Sequence, residues 1–201
     1  MKKDRLEAFS DGVFAFAITL LVLNITVPAH DSTATAAWLW HELGSHWPDY
    51  ISYATSFLVI AIMWTNHHAI FLRLKHIDRH TIMFNMLLLM TTVLIPFSTA
   101  LLARYPHLAP PAFVYGLVLT LCSIGFNLLW WHVIRVPDSH TFTPAEQRAN
   151  TPRFLFGLVV YFAAMVIALF VPLVSIAAYL GITLYYFIPG GVDRPSVHGE
   201  G

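Results

Sequence analysis

A carboxylate stands at the entrance to the first apolar run of this chain. Asp11, with Ser10 before it, directly precedes residues 12–29, which contain no Asp, Glu, Lys or Arg. A carboxylate is costly in hydrocarbon, so it faces protein or water there and marks an ion pathway, a proton relay or a contact between helices. Arg5 lies six residues earlier, on a different face of one helix. We therefore expect Asp11 and Arg5 to find separate partners on other helices or other subunits, unless Arg5 simply reaches the lipid headgroups.

The eleven histidines invite a metal-site interpretation. His67 and His68 are adjacent, and His76 and His80 are spaced i, i+4, which can place two ligands on one helix face. His76 and His80, however, lie in a basic segment, and the clustered histidine boxes of membrane di-iron enzymes are missing. The sequence also lacks a glycine-rich phosphate loop, a nucleophile motif and a pair of intramembrane carboxylates. We therefore expect no metal site, no cofactor and no enzymatic activity.

The composition is that of a membrane protein. Hydrophobic residues make up 57% of the 201 residues and charged residues only 11%, whereas soluble domains carry about 25% charged residues. The formal net charge is zero, so no basic surface indicates a nucleic-acid partner. The single cysteine, Cys122, cannot form an intrachain disulfide and is expected to pack as an apolar residue. The sequence therefore predicts an all-α membrane domain in contact with lipid.

The number of spanning helices follows from the apolar runs, since one span needs roughly 20 residues. Five runs contain no Asp, Glu, Lys or Arg: 12–29, 50–72, 80–103, 105–134 and 154–192. The last run is too long for one span, and Pro172 divides it. We predict one domain with six helices at approximately 4–28, 49–73, 79–104, 111–135, 152–171 and 173–189, then a cytoplasmic tail, 190–201. The alternative is one long kinked helix in the last run, which gives five spans and places Arg194 on the opposite side.

Several local signals refine these helices. Thr143-Pro144-Ala145-Glu146 combines a capping Thr, a Pro and a Glu at helix-start positions and predicts a short surface helix. Thr151-Pro152 then resembles the start of the fifth spanning helix. Pro96 predicts a kink in the third. Residues 37–47, with tryptophans among polar residues, predict a helix lying in the outer interface.

The basic residues set the orientation, because they concentrate on the cytoplasmic side. With the N-terminus in the cytoplasm, ten of the eleven Lys and Arg residues lie inside, and only Arg104 lies outside. We therefore predict that both termini are cytoplasmic. The first helix then begins, and the second ends, at the same membrane face. This common depth predicts a buried network that draws on Arg5, Ser10, Asp11, Asn66, His67 and His68.

The start of the chain resembles the first helix of the bacterial transmembrane protein 175 family. The resemblance rests on Arg5-x-x-x-Phe9-Ser10-Asp11, on the apolar residues 12–23 that follow, and on the Trp-Thr-Asn-His-His stretch at 64–68. Proteins of this family are potassium-permeable channels related to the endolysosomal potassium channel. The resemblance implies a homotetramer in a bacterial plasma membrane, with six helices per subunit. It also implies that K⁺, and other monovalent cations to some degree, pass through a central pore.

In such proteins the first helix lines the pore, and bulky apolar side chains form the constriction in place of a carbonyl filter loop. Carried onto this sequence, the constriction positions are Phe16, Leu20 and Leu23, with Thr19 beside them. The motif residues, including Phe9, would hold this helix in register. Two departures from the family pattern are expected to matter. Phe16 stands where relatives commonly have Ile, and Asn24 stands where an acidic residue is frequent.

The residues leave a second functional class open. A small secondary transporter, coupled to protons through Asp11 and the histidines, would have a similar composition. Such a protein would show saturable flux driven by a pH gradient and no unitary currents. Without the motif, the sequence supports only a multi-spanning membrane protein.

Overall fold

The computed structural model describes residues 3–28, 35–135 and 142–187, and most of these residues are helical. The helices are α1 (Lys3–Leu21, continued by a 3₁₀ turn, Val22–Asn24), α2 (Ala36–Ser45), α3 (Trp47–Arg73), α4 (Arg79–Thr92), α5 (Ile95–Arg104), α6 (Ala109–Val133), α7 (Pro144–Ala168) and α8 (Pro172–Phe187). No strand occurs in these residues. The all-helical fold predicted from the sequence is therefore confirmed.

Five helical stretches within the described residues are long and apolar enough to cross a membrane. They are α1 with its 3₁₀ turn, α3, α4 together with α5, α6 and α7. α8 is equally apolar but has only 16 residues, a length of about 24 Å. The sixth predicted span is thus shorter than the hydrocarbon core of a typical bilayer, which is about 30 Å thick. The predicted tail, 190–201, lies outside the described residues.

Two proline-containing segments differ from the sequence-based expectation. α7 is a single helix from Pro144 to Ala168 with Pro152 inside it, so no separate surface helix precedes the span. The capping box between Thr143 and Glu146 starts this helix, and the exposed Pro152 does not end it. In place of the kink expected at Pro96, the helix breaks at Val93 and Leu94, so Pro96 lies in the first turn of α5. A proline is tolerated there because the first-turn N–H groups have no intrahelical partner.

α6 occupies the centre of the bundle and contacts α4, α5, α7 and α8, while α1 packs on α3, α4 and α5. One end of the bundle is marked by polar contacts between helix ends. Arg73 Nη1 at the end of α3 lies 2.6 Å from Glu146 Oε1 at the start of α7. Lys3 Nζ at the start of α1 donates to the Leu72 carbonyl at 3.1 Å. We call this the Arg73–Glu146 end, and it fixes the depth of the residues described below.

Candidate functional site

One face of α1 is completely buried in the subunit. It consists of residues spaced three or four apart, each at most 1% exposed: Leu6, Ser10, Phe14, Ala17 and Leu21. This spacing is that of a helix seated on a core. Because α1 is apolar almost all round, the sequence alone does not identify this face.

The opposite face of α1 is left uncovered by the subunit. Its large side chains are Phe9 (52% exposed), Phe16 (61%), Leu23 (76%) and, beyond the helix, Val27 (84%). Between them lie the exposed small or polar residues Gly12, Ala15 and Thr19. We call this set of seven residues the uncovered stripe. It runs the full length of α1, and the exposed Arg5 extends it to the Arg73–Glu146 end.

The four residues expected at a constriction fall mostly on this stripe. Phe16, Thr19 and Leu23 are exposed, whereas Leu20 is partly buried at its edge. The Thr19 hydroxyl donates its hydrogen to the Phe16 carbonyl at 2.8 Å. Since that hydrogen is engaged, the Thr19 oxygen offers lone pairs toward the uncovered side.

A directed chain of hydrogen bonds joins α1 to α3 through α4. Ser10 Oγ donates to the Leu6 carbonyl at 2.8 Å, so it must accept from Asn85 Nδ2 at 2.9 Å. The Asn85 Oδ1 then faces His67 Nε2 at 2.8 Å, and only a protonated Nε2 can complete the chain. Ser10, Asn85 and His67 are all 0% exposed. The His67 ring also stacks on Phe71 with centroids 4.1 Å apart.

Asp11 makes a separate contact with α3. The indole Nε1 of Trp64 donates to Asp11 Oδ1 at 2.8 Å. Trp64 stacks on His68, and His68 Nδ1 lies 3.4 Å from Glu7 Oε1. Adjacent residues Ser10 and Asp11 thus bind different helices, because successive helical positions point about 100° apart. Together with the Ser10 chain, this contact fixes α1 both in rotation and in height.

The predicted network is brought together only in part. Ser10, Asp11, His67 and His68 take part in these contacts, while Arg5 and Phe9 lie on the exposed side of α1. Within the described residues Arg5 has no hydrogen-bonding partner. Asn66 donates to the Ile62 carbonyl of its own helix at 2.9 Å and faces away from α1, toward α6, α7 and α8.

Sequence reasoning missed Asn85, Trp64 and Glu7 as partners. Asn85 is the only Asn or Gln between residues 80 and 103, and a lone amide in an apolar run signals a buried hydrogen bond. Trp64 carries a weaker signal, because an indole near a membrane interface is also explained by the lipid headgroups.

The far end of α1 is attached by its own polar contacts. Asn24 Nδ2 donates to the Pro96 carbonyl at 2.8 Å, so the 3₁₀ turn is tied to the break between α4 and α5. The buried Asp49 accepts from the Thr26 N–H at 3.4 Å and bonds His46 Nδ1 at 3.2 Å. α1 is therefore held at both ends, while its middle packs through apolar side chains. In the part of the chain that the structure describes, no three His, Cys, Asp or Glu side chains are arranged to hold a metal ion.

Known proteins are similar to this chain in sequence and in fold. A family model described as the endosomal/lysosomal potassium channel TMEM175 matches residues 5–96. A potassium channel of Streptomyces collinus is 42% identical over 192 residues, which cover 90% of this chain and 90% of that protein. A potassium channel of Chamaesiphon minutus is 38% identical over 192 residues, covering 90% and 92%. The crystal structure of a lysosomal potassium-selective channel TMEM175 homolog from Chamaesiphon minutus aligns with a TM-score of 0.81 at 38% identity, over 92% of this chain and 96% of that one.

Proposed function

The chain belongs to the TMEM175 family, and from this premise we propose that it is a potassium-permeable channel, with conduction rather than catalysis as its activity. Four copies would assemble in a bacterial plasma membrane with α1 of each copy around a central pore. The protein is a multi-pass membrane protein, and the basic residues support cytoplasmic termini. K⁺ is the permeant ion, and no bound cofactor is needed.

The uncovered stripe of α1 is the observation that carries this proposal. Faces that meet lipid favour large apolar side chains, as on α7, where Phe156, Val159 and Phe162 are 49–58% exposed. The stripe instead alternates large side chains with Gly12, Ala15 and Thr19. Small residues of this kind allow helices to approach one another closely. The composition therefore favours a face that meets its own copies around an axis.

Conduction through such a pore would be controlled by wetting. Four copies of Phe16 and of Leu23 form apolar rings, and a narrow apolar constriction excludes water when closed. A small widening admits a partly hydrated ion. K⁺ gives up water more easily than Na⁺, so an apolar ring favours it modestly. Four Thr19 oxygens, one turn away, would replace part of the lost hydration, and selectivity would remain weaker than a carbonyl filter gives.

Single-channel recording of the purified protein under a K⁺/Na⁺ gradient tests this proposal. Leu23→Ala should raise the closed-state leak and lower the K⁺ over Na⁺ preference, because one of the two proposed apolar rings is lost. Thr19→Val keeps the volume but removes the oxygen, so it should lower the preference without raising the leak. Phe162→Ala, on the exposed face of α7, is the matched control and should conduct like the unaltered protein.

The same preparation also reports assembly. The mass of the detergent-solubilised complex should correspond to four chains. Wild-type currents in both Leu23→Ala and Thr19→Val would remove the stripe from the ion path. A saturable flux without unitary currents would indicate the transporter alternative instead.

A further inference from the structure

A large cavity lies at the far end of α1, beside the uncovered stripe. Its volume is about 690 Å³, which leaves room for a hydrated ion, since one water occupies about 30 Å³ in the liquid. Its walls come from the 3₁₀ turn after α1, the corner between α2 and α3, and the end of α5 with the loop that follows. Leu23 lines this cavity and also belongs to the uncovered stripe. The cavity, which we call the far-end vestibule, therefore adjoins the proposed constriction.

The far-end vestibule is lined by a buried carboxylate. Asp49, in the first turn of α3, is only 9% exposed. Both of its hydrogen bonds are made by Oδ2, which accepts from the Thr26 N–H and from His46 Nδ1. The Asp49 Oδ1 has no hydrogen-bond partner among the described residues. A carboxylate oxygen is costly to bury without a partner, so water or a cation in the vestibule is the group that can satisfy it.

The opposite charges around the far-end vestibule lie at different depths. Asn24 bonds the Pro96 carbonyl, and Arg104 follows Pro96 by eight residues on α5, a distance of about 12 Å along the helix. Asp49 instead bonds Thr26, which lies only two residues past Asn24, at most about 7 Å of chain. Asp49 is therefore closer to the uncovered stripe, and Arg104 is closer to the mouth of the vestibule.

The buried carboxylate dominates the field that an ion meets inside the far-end vestibule. Arg104 and His107 are exposed, so water and salt screen them over a Debye length of about 8–10 Å at physiological ionic strength. The field of a charge in a cleft with low-dielectric walls is focused into that cleft instead. Cations are therefore attracted past the mouth toward the stripe, and anions are repelled.

We propose that the far-end vestibule is an entry site for hydrated monovalent cations, and that Asp49 concentrates them beside the constriction. This role rests on the proposed channel function and extends it to the entrance of the pore. Asn24, which is expected from the family resemblance to reduce the charge at this end, lines the same cavity. Asp49 restores that charge from another helix. Four copies around one axis would surround the entrance with four carboxylates.

Single-channel conductance at low and high ionic strength tests the entry site. The Debye length is about 30 Å in 10 mM KCl and about 3 Å in 1 M KCl. Asp49→Asn keeps the side-chain volume but removes the charge. It should lower the K⁺ conductance about 3–10-fold at the lower concentration, where four unscreened charges act together, and change it little at the higher one. The loss should be larger for K⁺ that enters from the far end, so the variant should rectify.

Three further variants separate the charge from the bonds of Asp49. Ser45→Asp places a carboxylate on an exposed residue of the vestibule wall and should restore the low-salt conductance of Asp49→Asn. Arg104→Gln removes the cation at the mouth and should raise the low-salt conductance of the otherwise unaltered protein. Glu42→Gln is the matched control, because Glu42 belongs to the same end of the molecule but does not line the vestibule, and it should change the conductance much less.

The outcomes distinguish a failure of the entry site from a failure of the proposed channel. Equal unitary currents in Asp49→Asn and the unaltered protein at low salt would overturn the entry site and leave the channel intact. An equal loss at both salt concentrations, not relieved by Ser45→Asp, would overturn it in favour of a structural role. Arg104→Gln and Ser45→Asp alone keep the Asp49 bonds, and no rise in low-salt conductance in either would also overturn it. Absence of unitary currents in the unaltered protein would overturn both proposals.

Discussion

Replacing Asn85 with Leu tests the hydrogen-bonded chain that holds α1. The substitution keeps the approximate volume but removes both amide bonds. Ser10 still donates to the Leu6 carbonyl at 2.8 Å, so its hydroxyl hydrogen stays satisfied. His67 loses its only hydrogen bond, since its Nδ1 has no partner among the described residues. Asn85→Leu therefore strands one buried donor on a residue that is 0% exposed.

The expected cost is about 1–3 kcal/mol. Hydrogen bonds between membrane helices contribute about 0.6 kcal/mol on average, which sets the lower limit for two lost bonds. A stranded buried donor costs about 1–3 kcal/mol in its own right. Equilibrium unfolding in mixed detergent micelles measures this loss. Asn66→Leu is the matched control and should cost much less, because the Asn66 side-chain amide bonds only the Ile62 carbonyl of its own helix among the described residues.

A second substitution separates the free-energy cost of the stranded donor from the cost of the lost hydrogen bonds. His67→Phe keeps an aromatic ring at this position. The His67 ring centroid lies 4.1 Å from that of Phe71 and 5.3 Å from that of Phe14. The Asn85→Leu/His67→Phe double variant has no unpaired donor, so it should be more stable than Asn85→Leu alone. Two results would contradict this account of the hydrogen-bonded chain: a double variant that is less stable than Asn85→Leu alone, or a loss of stability in Asn66→Leu as large as that in Asn85→Leu.

Two further predictions concern other parts of the bundle. Gly116→Ala should lower the melting temperature by an amount equivalent to roughly 1–3 kcal/mol, because the Cβ of the new alanine would meet the Tyr179 hydroxyl and lie 2.9 Å from Met165 Cβ. Gly181→Ala is the control, because a Cβ at residue 181 meets open space. Equal losses of melting temperature in the two variants would contradict the packing argument. Burial opposes ionisation of Asp78, but bonds from Thr81 and His132 hold its pKa well below the ordinary value. A carboxyl group with a depressed pKa stabilises the fold at pH values above the ordinary carboxyl pKa of about 4. Asp78→Asn should therefore lower the melting temperature at pH 7, and lower it progressively less as the pH falls below 4. A melting-temperature difference between variant and unaltered protein that does not change with pH would refute this.

The sequence predicts where the helices begin and end better than it predicts which face of each helix is buried. Charge-free runs and caps locate most spans, because exclusion of charge from hydrocarbon acts on every residue of a span. Orientation about the helix axis has no such signal when a helix is apolar all round, as α1 is. Ser10 and Asp11 were recognisable as polar, but only the structure shows that Ser10 points to α4 and Asp11 to α3.

Proline positions were predictable as interruptions but not in their effect. Pro96 lies in an apolar segment and Pro152 lies just before one, yet α5 begins beside Pro96 and α7 continues through Pro152. The Pro96 carbonyl accepts a bond from Asn24 of α1, a contact 72 residues distant in sequence that no local pattern reveals.

The attachments of α1 limit how the proposed pore can open. Rotating α1 alone would break the Ser10–Asn85 and Asp11–Trp64 bonds near one end and the Asn24–Pro96 bond at the other. Tilting α1 together with α3, α4 and α5 keeps all three, since each bond joins α1 to one of those helices or to the break between α4 and α5. The apolar contacts of Phe14, Ala17 and Leu21 are non-directional and tolerate small shifts. Joint tilting thus costs less than rotation, and it would change the width of the proposed Phe16 and Leu23 rings without turning these side chains away from the proposed axis.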